Sequence, residues 1–409
     1  MRGLVCVVIV LLAFACGGGE DGARTATPAA TATPTAVATA VEYPPKVSLT
    51  EAGVYLIRPD GTGLRSLTPG EEYFYRFGWS PDGSHIAVVT SACDAPRVSV
   101  IDVDSGDAVE VAAFDGSAGG QQWVVGRPLW SPDGRQLAVP ASPHQADAPY
   151  HTFLVNADGS SEPVEPFQGL PIGWSPDGKS LAFWGQSDEG GTLNIFDMAT
   201  SASTVIGRGW SIGPLVWSPD GQRIAYSVSS TDTGPEEIVV MDRDGGNRRV
   251  VVEGGSEPAW SPDGKYLAFS VGISPDESVA VASADGSQDY VRLAPGEEFK
   301  WSPRGDAILI WHASSLRLVS LATHQAVALV SDVLPEREVS FSPDGQRVAF
   351  VGSDPYDEDP RNALFVVNTD GTGLQKLARP STMIGLRFEW SPDGRYIAFD
   401  DTIVGSCFV

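Results

Sequence analysis

Trp174-Ser175-Pro176-Asp177-Gly178 decides the fold, because the same five residues recur along the chain. Trp-Ser-Pro-Asp-Gly also begins at Trp79, Trp130, Trp217, Trp260 and Trp390. Two variants complete the series: Trp301-Ser302-Pro303-Arg304-Gly305 and Phe341-Ser342-Pro343-Asp344-Gly345. The eight copies stand 51, 44, 43, 43, 41, 40 and 49 residues apart. A period of that size marks one supersecondary unit per repeat. The string has a mechanical reading. Pro presets φ near about −65°, Asp tolerates the next position, and Gly takes the left-handed conformation that closes a type I turn with a bulge. Ser can accept a bond from the turn backbone. The Trp ends a strand, where its flat side chain fills the wedge between neighbouring sheets. Arg304 occupies an exposed turn position, so the geometry is expected to survive it, and Phe341 keeps the packing role. These residues are structural, not catalytic.

The sequence on either side of each string is equally regular. After the Gly come a few polar residues and an apolar run, such as Leu181-Ala182-Phe183-Trp184, Ile224-Ala225-Tyr226 or Val348-Ala349-Phe350-Val351. A variable loop follows. Next comes a β-rich run that ends in a polar turn, as in Ile238-Val239-Val240-Met241 before Asp242-Arg243-Asp244-Gly245. A last short strand returns to the next Trp. Such runs bounded by Gly, Pro and Asp predict four strands, A to D, per repeat. Four short antiparallel strands at this period predict an all-β chain folded as a β-propeller.

The ends predict how the ring closes. Val54-Tyr55-Leu56-Ile57, Arg58-Pro59-Asp60-Gly61 and Leu64 to Thr68 form the C–D half of a repeat without its A–B half. Tyr396-Ile397-Ala398-Phe399 completes an A–B half near the other end. Together they make one blade, so eight blades are expected, with N-terminal strands completing the last. Closure also removes two sheet edges that would otherwise invite aggregation. Seven blades is the alternative, if one irregular copy is absorbed.

The motif resembles the PD40, or WD40-like, repeats of TolB-type propellers over roughly Val54 to Phe399. The resemblance implies the fold strongly and an activity weakly. Such propellers serve as protein-docking platforms, as gating domains of prolyl peptidases and as parts of other exported proteins. Two departures stand out. TolB carries an α/β domain before its propeller, where this chain has only a linker. TolB-type propellers usually have six blades, and this sequence has eight copies.

Residues 1–45 are expected to lie outside the fold. Met1-Arg2 is a positive start, and Leu4 to Ala15 is an apolar run too short to anchor across a bilayer. Ala13-Phe14-Ala15-Cys16-Gly17 resembles the lipobox of bacterial lipoproteins, although Ala13 and Phe14 depart from its pattern. Residues 1–16 therefore read as a lipoprotein-type signal with Cys16 as the lipidated residue. The alternative is an ordinary signal peptide, giving a secreted or periplasmic soluble protein. Residues 17–45, rich in Thr, Ala, Pro and Gly, read as a disordered spacer, and 46–409 as the propeller. Cys93 and Cys407 are then the two cysteines of the fold. They fall in loops expected to be neighbours across the ring closure, and a Cys93–Cys407 disulfide is expected to lock it.

Composition narrows the partners. Lys and Arg total 27 against 52 Asp and Glu, a net charge of −25. That balance disfavours nucleic acid and anionic lipid headgroups, leaving a lipid anchor as the only membrane link. The 11 Trp, 16 Phe and 10 Tyr exclude disorder over the whole chain. A monomer is expected.

Function is expected in the B–C and D–A loops, which share one face. Asp354-Pro355-Tyr356-Asp357-Glu358-Asp359 is the most distinctive loop. It could dock a basic partner or ligate Ca²⁺, although it lacks an EF-hand spacing and no cofactor is required. His144 and His151 flank Asp147, but their spacing suits no familiar zinc site. Glu71-Glu72-Tyr73-Phe74-Tyr75 is an acidic and aromatic D–A stretch. Gly209-Trp210-Ser211-Ile212-Gly213 matches Gly-x-Ser-x-Gly but lacks the α/β setting of a nucleophile elbow. No catalytic residue is assigned. The leading expectation is an exported, membrane-tethered scaffold that binds a protein or cell-envelope partner. The alternatives are a small-ligand or glycan-binding propeller, and a carboxylate-dependent hydrolase or lyase.

Overall fold

The turn built by Ser-Pro-Asp-Gly sets the architecture. In all eight copies the Gly adopts φ between 66° and 73°. Its N–H donates to the Ser carbonyl at 2.8–2.9 Å, which closes the turn. The Ser hydroxyl accepts the N–H two residues past the Gly, as at Ser180 N to Ser175 Oγ, 3.0 Å. The Asp does more than tolerate its position. Asp177 Oδ1 accepts both the Ser175 hydroxyl at 2.6 Å and the Lys179 N–H at 3.1 Å. Arg304 cannot accept these bonds, so in the sixth copy Asp306 takes over and receives the Ser302 hydroxyl at 2.7 Å. The turn survives by substitution of the cap, which corrects the expectation that exposure alone makes that position permissive.

The computed structural model describes residues 53–68, 74–91, 95–114, 122–145, 148–187, 190–209, 211–229, 231, 234–272, 276–287, 289–296, 298–312, 315–331, 333–353, 362–379 and 386–401. Among them all regular structure is β. The strands form eight antiparallel sheets, joined in chain order. Blade one runs through Phe74–Trp79, His85–Ser91, Arg97–Asp102 and Ala108–Ala113 as strands A to D. Blade eight is composite. Phe388–Trp390 and Ile397–Asp401 supply A and B, and Gly53–Ile57 and Arg65–Ser66 supply C and D. Tyr55 pairs with Phe399 and Ile57 with Ile397, and the Tyr55 and Phe399 rings stack at 5.7 Å. The ring has eight blades, not seven, and closes as the terminal half-repeats require.

Strand B explains why its apolar runs are continuous. Ile224 and Tyr226 pack toward blade three, and Ala225 packs with Trp260 and Phe269 of blade five. A strand covered on both faces carries hydrophobic residues without alternation. The tryptophans tie blade to blade. Trp130 Nε1 donates to the Gly78 carbonyl at 2.9 Å, Trp174 to Leu129 at 3.1 Å and Trp217 to Gly173 at 3.2 Å. Trp260, Trp301, Trp390 and Trp79 repeat the bond to Val216, Ala259, Ser340 and Glu389. Each indole thus holds the carbonyl just before the corresponding aromatic of the preceding blade. The Phe341 ring has no N–H, so this chain of indole bonds is interrupted at the Lys300 carbonyl.

Candidate binding site in the central channel

Strand A is innermost, and three residues before each aromatic its backbone departs from a regular ladder in most blades. The pairing shifts register between Pro171 and Gly173, Ile212 and Leu215, Ser256 and Ala259, and Pro335 and Val339. In blade two the strand breaks outright, into Trp123–Val125 and Leu129–Trp130. Prolines explain much of this, because Pro128, Pro171, Pro214 and Pro258 cannot donate to the ladder. A bulge re-aims the side chain it carries.

The residues at this position, taken round the ring from blade eight, are Arg387, Arg76, Arg127, Pro171, Pro214, Glu257, Glu298 and Glu338. Three consecutive blades present guanidinium groups and three present carboxylates. Eightfold order sets blade one opposite blade five and blade two opposite blade six. The strand positions of Arg76 and Glu257 are therefore opposite, as are those of Arg127 and Glu298.

One level nearer the turns the charges cross the channel. Arg127 of blade two is ion-paired to Glu389 of blade eight, passing over blade one. Lys300 of blade six feels the charges of Glu338, Glu298, Glu389 and Arg127, which reaches it from the opposite wall. Lys300 is open to water within the channel, yet the surrounding walls disfavour its charge and lower its pKa. Burial likewise raises the Glu389 carboxyl, against the pull of Arg127. This network forms a floor. A cleft of about 350 Å³ reaches Arg127 from the turn side, lined by Trp79, Trp130 and Trp174.

Above the floor the groups are not ion-paired among the described residues, although the buried Asp400 carboxyl feels the Arg387 charge and accepts its backbone N–H at 2.7 Å. Burial lowers the Arg76 pKa, and the Arg387 charge lowers it further. Glu257 is raised by burial, then by Glu298 and Glu236. None of Arg76, Arg387 and Glu257 has an ion-pair partner among the described residues.

The residues expected to carry function fall elsewhere. Cys16, Cys93, Cys407 and the loop of Asp354, Tyr356, Asp357, Glu358 and Asp359 lie outside the described residues. The strands leading to Cys93 and Cys407 do belong to adjacent blades. His151 bonds Glu165 at 2.6 Å, whereas His144 donates its backbone N–H to the Gln122 carbonyl at 2.7 Å. No cluster suited to a metal occurs among the described residues. Of Glu71 to Tyr75, only Phe74 and Tyr75 are described, as the opening of strand A in blade one. Gly209 ends a strand of blade three and Ser211 begins one of blade four, so this string forms no nucleophile elbow. The channel charges were readable as the residue three before each Trp, a pattern visible only once the repeats are aligned on their turns.

These features define an eight-bladed, end-closed β-propeller with an electrostatically divided channel. Residues 170–350 match the PD40 family, the TolB beta propeller domain. Solved structures share the fold at low identity. A structure from an analysis of two prolyl endopeptidases is 14% identical, TM-score 0.57, over 80% of this chain and 54% of that one. The C-terminal WD40 domain of Sif2 is 15% identical, TM-score 0.53, over 82% and 98%. An oligogalacturonate lyase in complex with manganese is 16% identical, TM-score 0.51, over 77% and 98%. No curated protein matches the sequence.

Proposed function

We propose that this protein is an extracytoplasmic scaffold, tethered by lipid on Cys16, whose B–C and D–A loop face holds a protein of the cell envelope. The observation that carries this reading is the contrast between the two faces. The A–B turns are five residues long in seven blades, with one geometry throughout. The B–C connections vary from two residues, between Ser187 and Gly190, to nine, between Ser353 and Ala363. A rigid ring with one variable rim suits recognition, because the loops can change without disturbing the core. Asp354, Tyr356, Asp357, Glu358 and Asp359 belong to the longest of these loops and offer an acidic surface to a basic partner. A Cys93–Cys407 disulfide would brace the closure beneath that rim.

Site-specific photo-crosslinking in envelope preparations tests the assignment of the face. A crosslinker at exposed Gln145, on the loop side, should trap one discrete partner, and one at exposed Lys265, in an A–B turn, should not. Equal trapping from both positions, or from neither, contradicts the reading. Replacing 354–361 with a Gly-Ser segment should weaken the Gln145 crosslink.

A further inference from the structure

We propose that the channel above the Arg127–Glu389 floor is a binding site for a short zwitterionic peptide, its carboxylate held by Arg76 and Arg387 and its ammonium by Glu257. This proposal does not depend on whether the loop rim docks a protein.

Charge segregation is the first support. Like charges on neighbouring blades repel, and a ring that served stability alone would alternate them. Here Arg387 and Arg76 stand on neighbouring blades, close enough for the Arg387 charge to disfavour that of Arg76. Neither guanidinium is ion-paired among the described residues, and the carboxyl that feels Arg387 is that of buried Asp400. Two neighbouring guanidinium groups match the planar, bidentate geometry of a carboxylate.

Backbone strain is the second. Glu257 has φ +53°, one of four non-glycine residues in the left-handed region among the described residues. That conformation costs on the order of 1 kcal/mol for a side-chain-bearing residue. It sits in the strand-A bulge of blade five, followed by Pro258, which fixes the local path. The bulge carries a carboxylate at the strand position opposite that of Arg76, beside Glu298 and Glu236 and with no ion-pair partner among the described residues.

The third is the setting. The floor network lies toward the A–B turns, so the proposed site is approached from the loop side. Tyr150 is 46% exposed and near enough to Arg76 to influence its charge. It offers an aromatic face at the entrance. The arcs lie on opposite walls, which favours a ligand whose two charges are separated by more than a single amino acid. Three extended residues span roughly 10 Å.

Calorimetric titration of the full chain with trialanine tests the site, alongside its C-terminal amide and its N-acetyl form. Trialanine should bind, and the amide should bind at least tenfold more weakly. Arg387→Gln should produce a similar loss, and Arg76→Gln serves as the second variant if the first fails to reach the wild-type melting temperature. Glu257→Gln should weaken trialanine severalfold and leave the acetylated peptide unaffected. No binding of trialanine at millimolar concentration overturns the proposal. So does an amide that binds equally well, or binding indifferent to both arginines. Acetylated trialanine binding as tightly as the free peptide would overturn the zwitterion in favour of a carboxylate alone.

Discussion

At the scale of single residues, the turn motif is a hydrogen-bond device as well as a choice of dihedral angles. Pro and Gly make the path cheap, but Ser and Asp satisfy the backbone groups that the turn leaves over. The Ser side of this was legible from the string, and Asp as acceptor was not. The sixth copy gives the test. Asp306 caps Ser302 because Arg304 cannot. Asp306→Ala should lower stability by about 1 kcal/mol, the net value of a lost hydrogen bond. Lys179→Ala, at the equivalent position of the third copy, should be near neutral because Asp177 remains. Adding Arg304→Asp to Asp306→Ala should recover the loss. Thermal melts of the four proteins check this, and equal effects at 306 and 179 would contradict the compensation.

At the scale of strands, the two terminal half-repeats form one sheet because neither can bury its apolar face alone. Val54, Leu56 and Leu67 pack with Phe77, Trp79, Ile86 and Val88 of blade one. Removing Gly53–Ser66 would open the paired edge of Ile397–Asp401 and uncover that cluster. An exposed β edge beside bare apolar surface associates with itself. A chain starting at Pro69 should therefore form oligomers by light scattering and melt well below one starting at Lys46. The chain from Lys46 should match the full chain. Equal melting temperatures for the two truncations would contradict closure by pairing.

Across the whole molecule, acid should have two opposed effects. Ser80 holds Asp82 down to about 2, and Ser261 holds Asp263 down to about 2. Each stabilises the fold above the unfolded value of about 3.9 and loses that contribution as pH falls toward about 2. Asp400 behaves oppositely. Burial raises it to about 6, so at neutral pH its charge destabilises the fold, and that cost fades as pH falls from about 6 to about 4. The melting temperature should thus rise from pH 7 toward about pH 4 to 5, then fall steeply below. Asp400→Asn should flatten the upper limb and leave the acid limb intact. A monotonic decline from pH 7 downward would contradict these assignments.

The eight strings, their spacing and the split repeat at the ends determined the propeller, its blade count and its closure. They could do so because turn chemistry is local, and a repeat that cannot bury its own face must stack on its neighbours. Only the tertiary structure decided which charges meet. Arg127 and Glu389 stand 262 residues apart and still form an ion pair, and Lys300 feels Glu389 and Arg127 from other blades. Charge acts through space at a few ångströms, and a linear sequence contains those distances only after the blades have closed around an axis.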